Sequence, residues 1–412
     1  MSEWFAGGRT PRTLTVVGGS SPFTLSMVAA FLDGPPWPDG RLVLQGRDAG
    51  LIDDIGRCAA AALEPLGWRV RATTDPAESL DGTDVVLHQN RYGGLAWREQ
   101  DELLASRFGL GPEETIGPAG LAVSLRTGHG QEPYAAALAA LGGDVPVLTM
   151  TNPLGVSTAH FAAAGVPTLG ICELPEMTRL DLAAAAGLDP DGLSASYTGL
   201  NHRGFWHHAT HDGRDVLGPL AERLARSGET LHGATADEID SFRAYPDKYR
   251  ELFRSGIFLT PGRSRSLDAL RTTIREEAAA DPGRLPPSLA GRDMPWHRII
   301  VMPVLRALAG VPADVVVTRT EPDGVAVERR VTLCGNTIED LPNEAPPAAV
   351  ADWFGRFRAA EAATMAAVAS PTPQTVAAAL ALDPYVPPAV VDAAAAAVLE
   401  DFHRWRAAEG RS

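Results

Sequence analysis

Cys172 and His202 are the residues of this chain best suited by type to share a metal ion. A thiolate and an imidazole together suit a divalent transition metal and leave open positions for substrate oxygens. Cys172 ends the apolar run VPTLGIC, and His202 follows Asn201 in a glycine-flanked loop. Asn152 precedes Pro153 after VPVLTMT, where its amide can hold a sugar hydroxyl or cap a turn. Arg91 follows DVVLHQN and precedes two glycines, a good place for a guanidinium that binds an anion. Tyr245 and Tyr249 lie on either side of Pro246. Either serves as a base where a neighbouring cation lowers its pKa, and otherwise as a packing residue. A lone cysteine or histidine also has a plain alternative, as a small buried hydrophobe or a structural hydrogen-bonding group.

A second constellation lies near the start. TLTVV runs into Gly18, Gly19 and Ser20, then Ser21 and Pro22. Small residues allow a tight turn, and backbone N–H groups at the next helix start can hold a pyrophosphate. A tight turn without a nucleotide is the other reading. An acidic residue after the second strand commonly holds the ribose diol of NAD. Here Gln45 stands in that place, with Arg47 and Asp48 close behind. Arg47 suits a 2'-phosphate and so NADP, whereas Asp48 reaches a diol from a shifted position.

These groups need a scaffold that brings loops to one edge. Short apolar runs at 13–17, 41–45, 68–74, 84–89, 145–150 and 166–172 alternate with helical spacing. Such alternation predicts a parallel sheet with helices on both faces. Residues 1–172 are expected to form this Rossmann-like, dinucleotide-binding domain. Residues 173–412 are expected to form an α+β substrate-binding and catalytic domain. Within it, 236–253 reads as a helix broken at Pro246, and 291–310 as a helix around a proline. The segments 314–320 and 324–333 read as an antiparallel pair across a turn at Glu321 to Gly324. Arg98, Asp101 and Glu102 read as a charged helical face.

The 412 residues are 45% hydrophobic and 21% charged, enough for sizeable cores and for two domains. A formal charge of -15 argues against a general nucleic-acid surface. The start lacks the basic and apolar regions of a signal peptide, and no apolar run has membrane-spanning length. Three scattered cysteines do not make a disulfide scaffold. A reducing cytoplasm is the expected setting.

The order of motifs resembles glycoside hydrolase family 4, especially its 6-phospho-β-glucosidases. NRYGGLAWREQDE at 90–102, EETIGPAGLAVSLRT at 113–127 and TNPLGVSTA at 151–159 are similar to family segments. GICELP at 170–175 resembles its cysteine loop, GLNH at 199–202 its histidine motif, and YPDKY at 245–249 its tyrosine segment. GNTIEDLP at 335–342 and ALALDPYV at 379–386 are weaker matches. The sequence departs from the family pattern at Ser20, Gln45, Glu113, Ala119, Gly128, His129 and Glu173.

The resemblance implies a second domain like that of lactate and malate dehydrogenases. It also implies NAD, with NADP as the variant, and Mn2+ or another divalent metal. The implied reaction is hydrolysis of a small, 6-phosphorylated glycoside through oxidation at C3 and elimination. Cys172 and His202 would hold the metal, and Tyr249 would remove the C2 proton, with Asn152 beside them in the catalytic set. Arg91, Asn152 and Asn201 would bind substrate, and Gly18, Gly19, Ser20, Gln45 and Arg47 the dinucleotide. A homodimer or homotetramer is the family's usual assembly. The alternatives are an NAD(P)-dependent sugar dehydrogenase and a non-catalytic ligand-binding relative.

Overall fold

The computed structural model describes residues 2–6, 8, 10–142, 144–251 and 262–410. In chain order its strands are β1 Ser2–Glu3, β2 Thr13–Val17, β3 Arg41–Gln45, β4 Arg69–Thr73, β5 Val85–His88, β6 Val147–Thr149 and β7 Thr168–Ile171. Then follow β8 Leu193–Leu200, β9 Arg203–His211, β10 Arg214–Asp215, β11 Ala244–Pro246, β12 Ala313–Thr320, β13 Ala326–Cys334 and β14 Thr337–Asp340. The helices of the first half are α1 Leu25–Leu32, α2 Ala49–Leu63, α3 Pro76–Leu80, α4 Gly94–Arg107, α5 Gly117–Ala139, α6 Leu154–Ala163 and α7 Leu174–Ala186.

β2 is buried along its whole length, as a central parallel strand covered on both faces must be. Its neighbours are β3 on one side and β5 on the other, both parallel to it. The strand order therefore reverses between β2 and β5. In an open α/β sheet the crevice at such a reversal, beyond the carboxyl ends of the strands, receives ligands. The loops carrying Gly18 and Asn90 border that crevice.

One sheet runs through both halves, in the order β10-β9-β8-β13-β12-β7-β6-β5-β2-β3-β4. Its parallel part ends at β7, where Ile171 pairs antiparallel with Val317 of β12. Cys172 thus sits at the joint between the parallel and antiparallel regions. β12 and β13 pair from Ala313 opposite Leu333 to Thr320 opposite Ala326, as the sequence predicts. Among the described residues, no helix is long and apolar enough to cross a membrane.

Two expectations change. The helix expected over 236–253 stops at Phe242, and Arg243 turns the chain at φ 48°. Pro246 then lies in β11, an edge strand against β9, where its missing N–H costs no ladder bond. Phe253 lies outside the described residues. The charged face at Arg98 and Asp101 points inward, with both residues buried. Asp101 pairs with Arg126 of α5, which also holds Asp401 of the helix Val391–Ala408. This triad lies beside a second apolar core containing Leu125, Val376, Phe402 and Trp405.

Burial pushes the Asp101 carboxyl up to about 7, against the pull of Arg126. A carboxyl raised on folding favours the fold most below its unfolded pKa, and that contribution is lost as pH rises through the folded value. Wild type should therefore lose stability relative to D101N between roughly pH 4 and pH 7. Thermal melts of both proteins across that range check this, and a pH-independent difference would refute it.

Candidate active site

The Gly18 and Gly19 N–H groups both donate to the Gln45 carbonyl, at 3.1 and 2.8 Å. This folds the loop after β2 tightly over the end of β3. Gly18 has φ 88°, and a Cβ there would lie 2.6 Å from Asn90 Oδ1. A Cβ on Gly19 would meet Val16 O at 2.9 Å. Only glycine lets the loop lie this close, the condition for backbone to approach a phosphate. Ser20 packs over Gly46 and makes no hydrogen bond among the described residues, so its donors are free for a ligand.

The two residues expected at the ribose stand differently. Gln45 is 1% exposed and accepts from the Tyr134 hydroxyl at 3.2 Å. Its side chain is turned into the protein, and its carbonyl shapes the loop. Arg47 is exposed and pairs with Glu409 at 2.8 Å. Asp48 caps α2 by accepting from the Leu51 N–H. A strand end with a buried amide and a helix-capping acid is not the usual diol clamp.

Cys172 and His202 come together across the joint of the sheet. Cys172 Sγ lies 4.0 Å from His202 Nε2, close enough for one ion between them. His202 occupies the β8–β9 turn with φ 62°, a left-handed conformation that is costly for a non-glycine residue. Glu113 Oε1 fixes its Nδ1 at 2.8 Å, with Thr115 Oγ1 at 3.2 Å. A carboxylate behind the far ring nitrogen is the usual support for a ligating histidine, and it leaves Nε2 facing the thiol. The described residues contain no group of three or more His, Cys, Asp or Glu side chains gathered as a metal site. The geometry of the pair offers room for two protein ligands, with other positions left to substrate or solvent.

Tyr249 stacks on His202, with ring centroids 4.2 Å apart and planes at 22°. Burial raises its phenol pKa, and positive charge at His202 works against that rise. Glu173 Oε2 lies 3.8 Å from Cys172 Sγ. Asn152 is half-buried, and its carbonyl accepts from the Thr127 hydroxyl at 3.0 Å. Asn201 is 1% exposed, donates to Glu328 at 3.3 Å and leaves its Oδ1 without a protein partner. It supports the turn from beneath rather than presenting an open surface. Tyr245 is buried in β11 and donates to the Leu231 carbonyl, away from the histidine stack.

Arg91 is held by Glu114 at 2.7 Å, and Glu114 also binds Arg98. Burial would raise Glu114, but these two guanidiniums outweigh it and hold the carboxyl well below its usual range. Two further arginines stand within electrostatic reach. Arg292 lies over the Phe23 ring at 4.7 Å and the Trp296 ring at 5.1 Å. Its pKa falls to about 10 through burial and the repulsion of Arg263, Arg91 and Arg98, with Glu114 the opposing acid. Guanidiniums gathered in this way have the chemistry to bind an anion. Sequence reasoning singled out Arg91 but not Arg263 or Arg292, which lie far downstream in no recognisable motif.

Burial and Glu173 raise the Cys172 thiol. Burial would lower His202, but Tyr249 and Glu113 together hold it well above its usual value. A thiol and an imidazolium must both shed protons before they can bind a metal. Metal affinity should therefore climb as pH rises, with proton release on loading. Calorimetry with Mn2+ in buffers of different ionisation enthalpy counts those protons, and release of none would remove the pair as ligands.

Residues 13–188 match the model of the family 4 glycosyl hydrolases. Maltose-6'-phosphate glucosidase MalH of Clostridium acetobutylicum is 28% identical over 255 residues, which are 58% of this chain and 56% of MalH. The chain spans about half the length of the curated relatives it matches. A 6-phospho-α-glucosidase from gut microorganisms, solved with NAD and Mn2+, superposes with a TM-score of 0.82 at 19% identity, covering 96% of this chain and 98% of its own. The 6-phospho-β-glucosidase of Thermotoga maritima, solved with manganese, NAD+ and glucose-6-phosphate, gives 0.80 at 19% identity, covering 96% and 99%. The malate dehydrogenase of Cryptosporidium parvum gives 0.54 at 14% identity, covering 88% and 100%, so the dehydrogenase-like architecture is shared. The relatives this chain resembles include both 6-phospho-α-glucosidases and 6-phospho-β-glucosidases. Residues 13–188 are thus similar to the family 4 glycosyl hydrolases, and the fold as a whole is like that of the solved 6-phospho-α- and 6-phospho-β-glucosidases.

Proposed function

We propose that this protein is an NAD- and divalent-metal-dependent hydrolase of a small, 6-phosphorylated glycoside, working by C3 oxidation and elimination. The observation that carries this reading is the stack of Tyr249 on His202, whose Nε2 faces Cys172 beside a glycine loop. The glycine cradle suits a dinucleotide pyrophosphate, and the thiol–imidazole pair with its carboxylate support suits a divalent ion. When bound, NAD supplies a reversible hydride acceptor and the metal a Lewis acid, chemistry that these side chains lack.

The chain's own residues do the rest. Arg91, Arg263 and Arg292 hold the phosphate and so fix the sugar at the crevice edge. Asn152 orients a sugar hydroxyl. Tyr249 takes the proton from C2 once the neighbouring carbon is oxidised and that proton has become acidic. Its raised phenol makes this step depend on positive charge at the His202 side of the ring. The glycosidic oxygen leaves C1 and takes its proton from water. Water then adds at C1, and a bound dinucleotide would supply the hydride that restores C3. A reducing cytoplasm suits the unpaired thiols of Cys58, Cys172 and Cys334.

Reaction in D2O with a 6-phosphoglycoside tests the proposal. NMR of the product sugar should find deuterium at C2, and Y249F should lose exchange and cleavage together by about 100-fold or more. Cleavage without C2 deuterium would reject the elimination. Steady NADH accumulation with release of an oxidised sugar would point instead to a dehydrogenase.

The anion site has its own test. R292A should raise KM for a phosphorylated glycoside by roughly 10–100-fold, the loss expected for a charge-assisted contact, and leave a neutral glycoside unaffected. Equal effects on both would make the arginine structural.

A further inference from the structure

The hairpin turn that carries His202 and the segment that carries Tyr249 belong to different stretches of chain. Their rings nevertheless lie 4.2 Å apart and nearly parallel. Ring stacking alone is too weak to set such a register. A stronger tie is the Asp247 side chain. Its Oδ2 accepts the Gly204 N–H at 2.8 Å and its Oδ1 accepts the Tyr249 N–H at 2.9 Å. The Asp247 N–H donates in turn to the Gly204 carbonyl at 3.0 Å. Asp247 is 5% exposed, so water is a poor substitute for these partners.

The hairpin end of this tie is itself rigid. Gly204 lies under the Tyr197 ring, and a Cβ there would meet the Tyr197 hydroxyl at 1.8 Å. Arg203 is pinned by Glu361 at 2.6 Å. On the other side, β11 pairs Tyr245 with Trp206 and Pro246 with Phe205. That ladder stops at Pro246, three residues short of Tyr249. Asp247 carries the connection over the gap.

We infer that Asp247 is a positioning residue, whose carboxylate clamps the histidine turn and the tyrosine segment into one unit so that the Tyr249 ring stays over His202. The catalytic meaning of this clamp rests on the function proposed above, whereas the clamp itself does not. A side chain that merely filled space would influence stability. A clamp acting through Tyr249 influences turnover by way of that residue.

The experiment compares D247N with wild type as metal- and NAD-loaded enzyme. An asparagine accepts through one oxygen only, so one of the two N–H groups must face an NH2. Amide hydrogen exchange should lose protection at both Gly204 and Tyr249, with Phe205 and Trp206 unchanged. The D247N kcat should fall by roughly 10–100-fold, the scale of a small misplacement of a reacting group, with KM and Mn2+ affinity within about threefold of wild type. In a Y249F background D247N should add no further loss, since residues acting through one another are not additive.

Unchanged protection at the two amides would overturn the clamp. A full additional loss in the Y249F background, or a lowered melting temperature with kcat intact, would overturn the positioning role. If D247N does not fold, D247S removes the carboxylate with a smaller side chain and faces the same outcomes. A wild type with no C2 exchange and no cleavage would sink the proposed function, and the two amides would still decide the clamp.

Discussion

A carboxylate taken out of water must be given N–H groups or cations, or it costs several kcal/mol. This requirement organises the site. Glu113 is satisfied by the His202 ring and the Thr115 N–H. Asp247 is satisfied by Gly204 and Tyr249, and Asp383 by the N–H groups of Gly117 and Tyr385. Glu361 takes Arg203, and Glu328 takes the Tyr197 hydroxyl and the Asn201 amide. Each buried acid therefore joins segments distant in sequence. The same bonds that offset desolvation also set the geometry of the reacting groups.

The sheet supplies the frame on which these ties act. Its reversal between β2 and β5 opens the crevice, and its change from parallel to antiparallel at β7 puts Cys172 beside the β8–β9 turn. Both events occur at one edge. A site assembled on strand ends rather than on long loops holds its distances well. The charged helix α4 is drawn inward because Arg98 and Asp101 find buried partners.

Much of this could be read from the chain alone. Six short apolar-rich runs with intervening helices give the parallel half, because strands buried between helical layers are largely apolar. The β12–β13 hairpin follows from its turn residues. Cys172, His202 and Tyr249 stand out by type and motif, and they do come together. What escaped was pairing over long sequence distance. Arg98 and Asp101 look like a solvated face until Glu114 and Arg126 are known to meet them. Gln45 looks like a ribose contact until Tyr134 turns it inward. Arg263 and Arg292 carry no local pattern at all, since their meaning lies in mutual proximity. Pro246 suggests a broken helix because an edge strand of three residues leaves too short a periodicity to detect.

The Arg126 triad sets an order for assembly. Arg126 is fully buried and needs Asp101, 25 residues before it, and Asp401, 275 residues after it. Chains emerge from the ribosome N-terminal end first. The parallel strands can form while the later helices are still being made, but α5 cannot bury its guanidinium fully until Val391–Ala408 has been synthesised. Until then a cation and the apolar surface of Leu125 stay exposed together. The nascent protein consequently carries its adhesive face on α5 until Val391–Ala408, made much later, covers it.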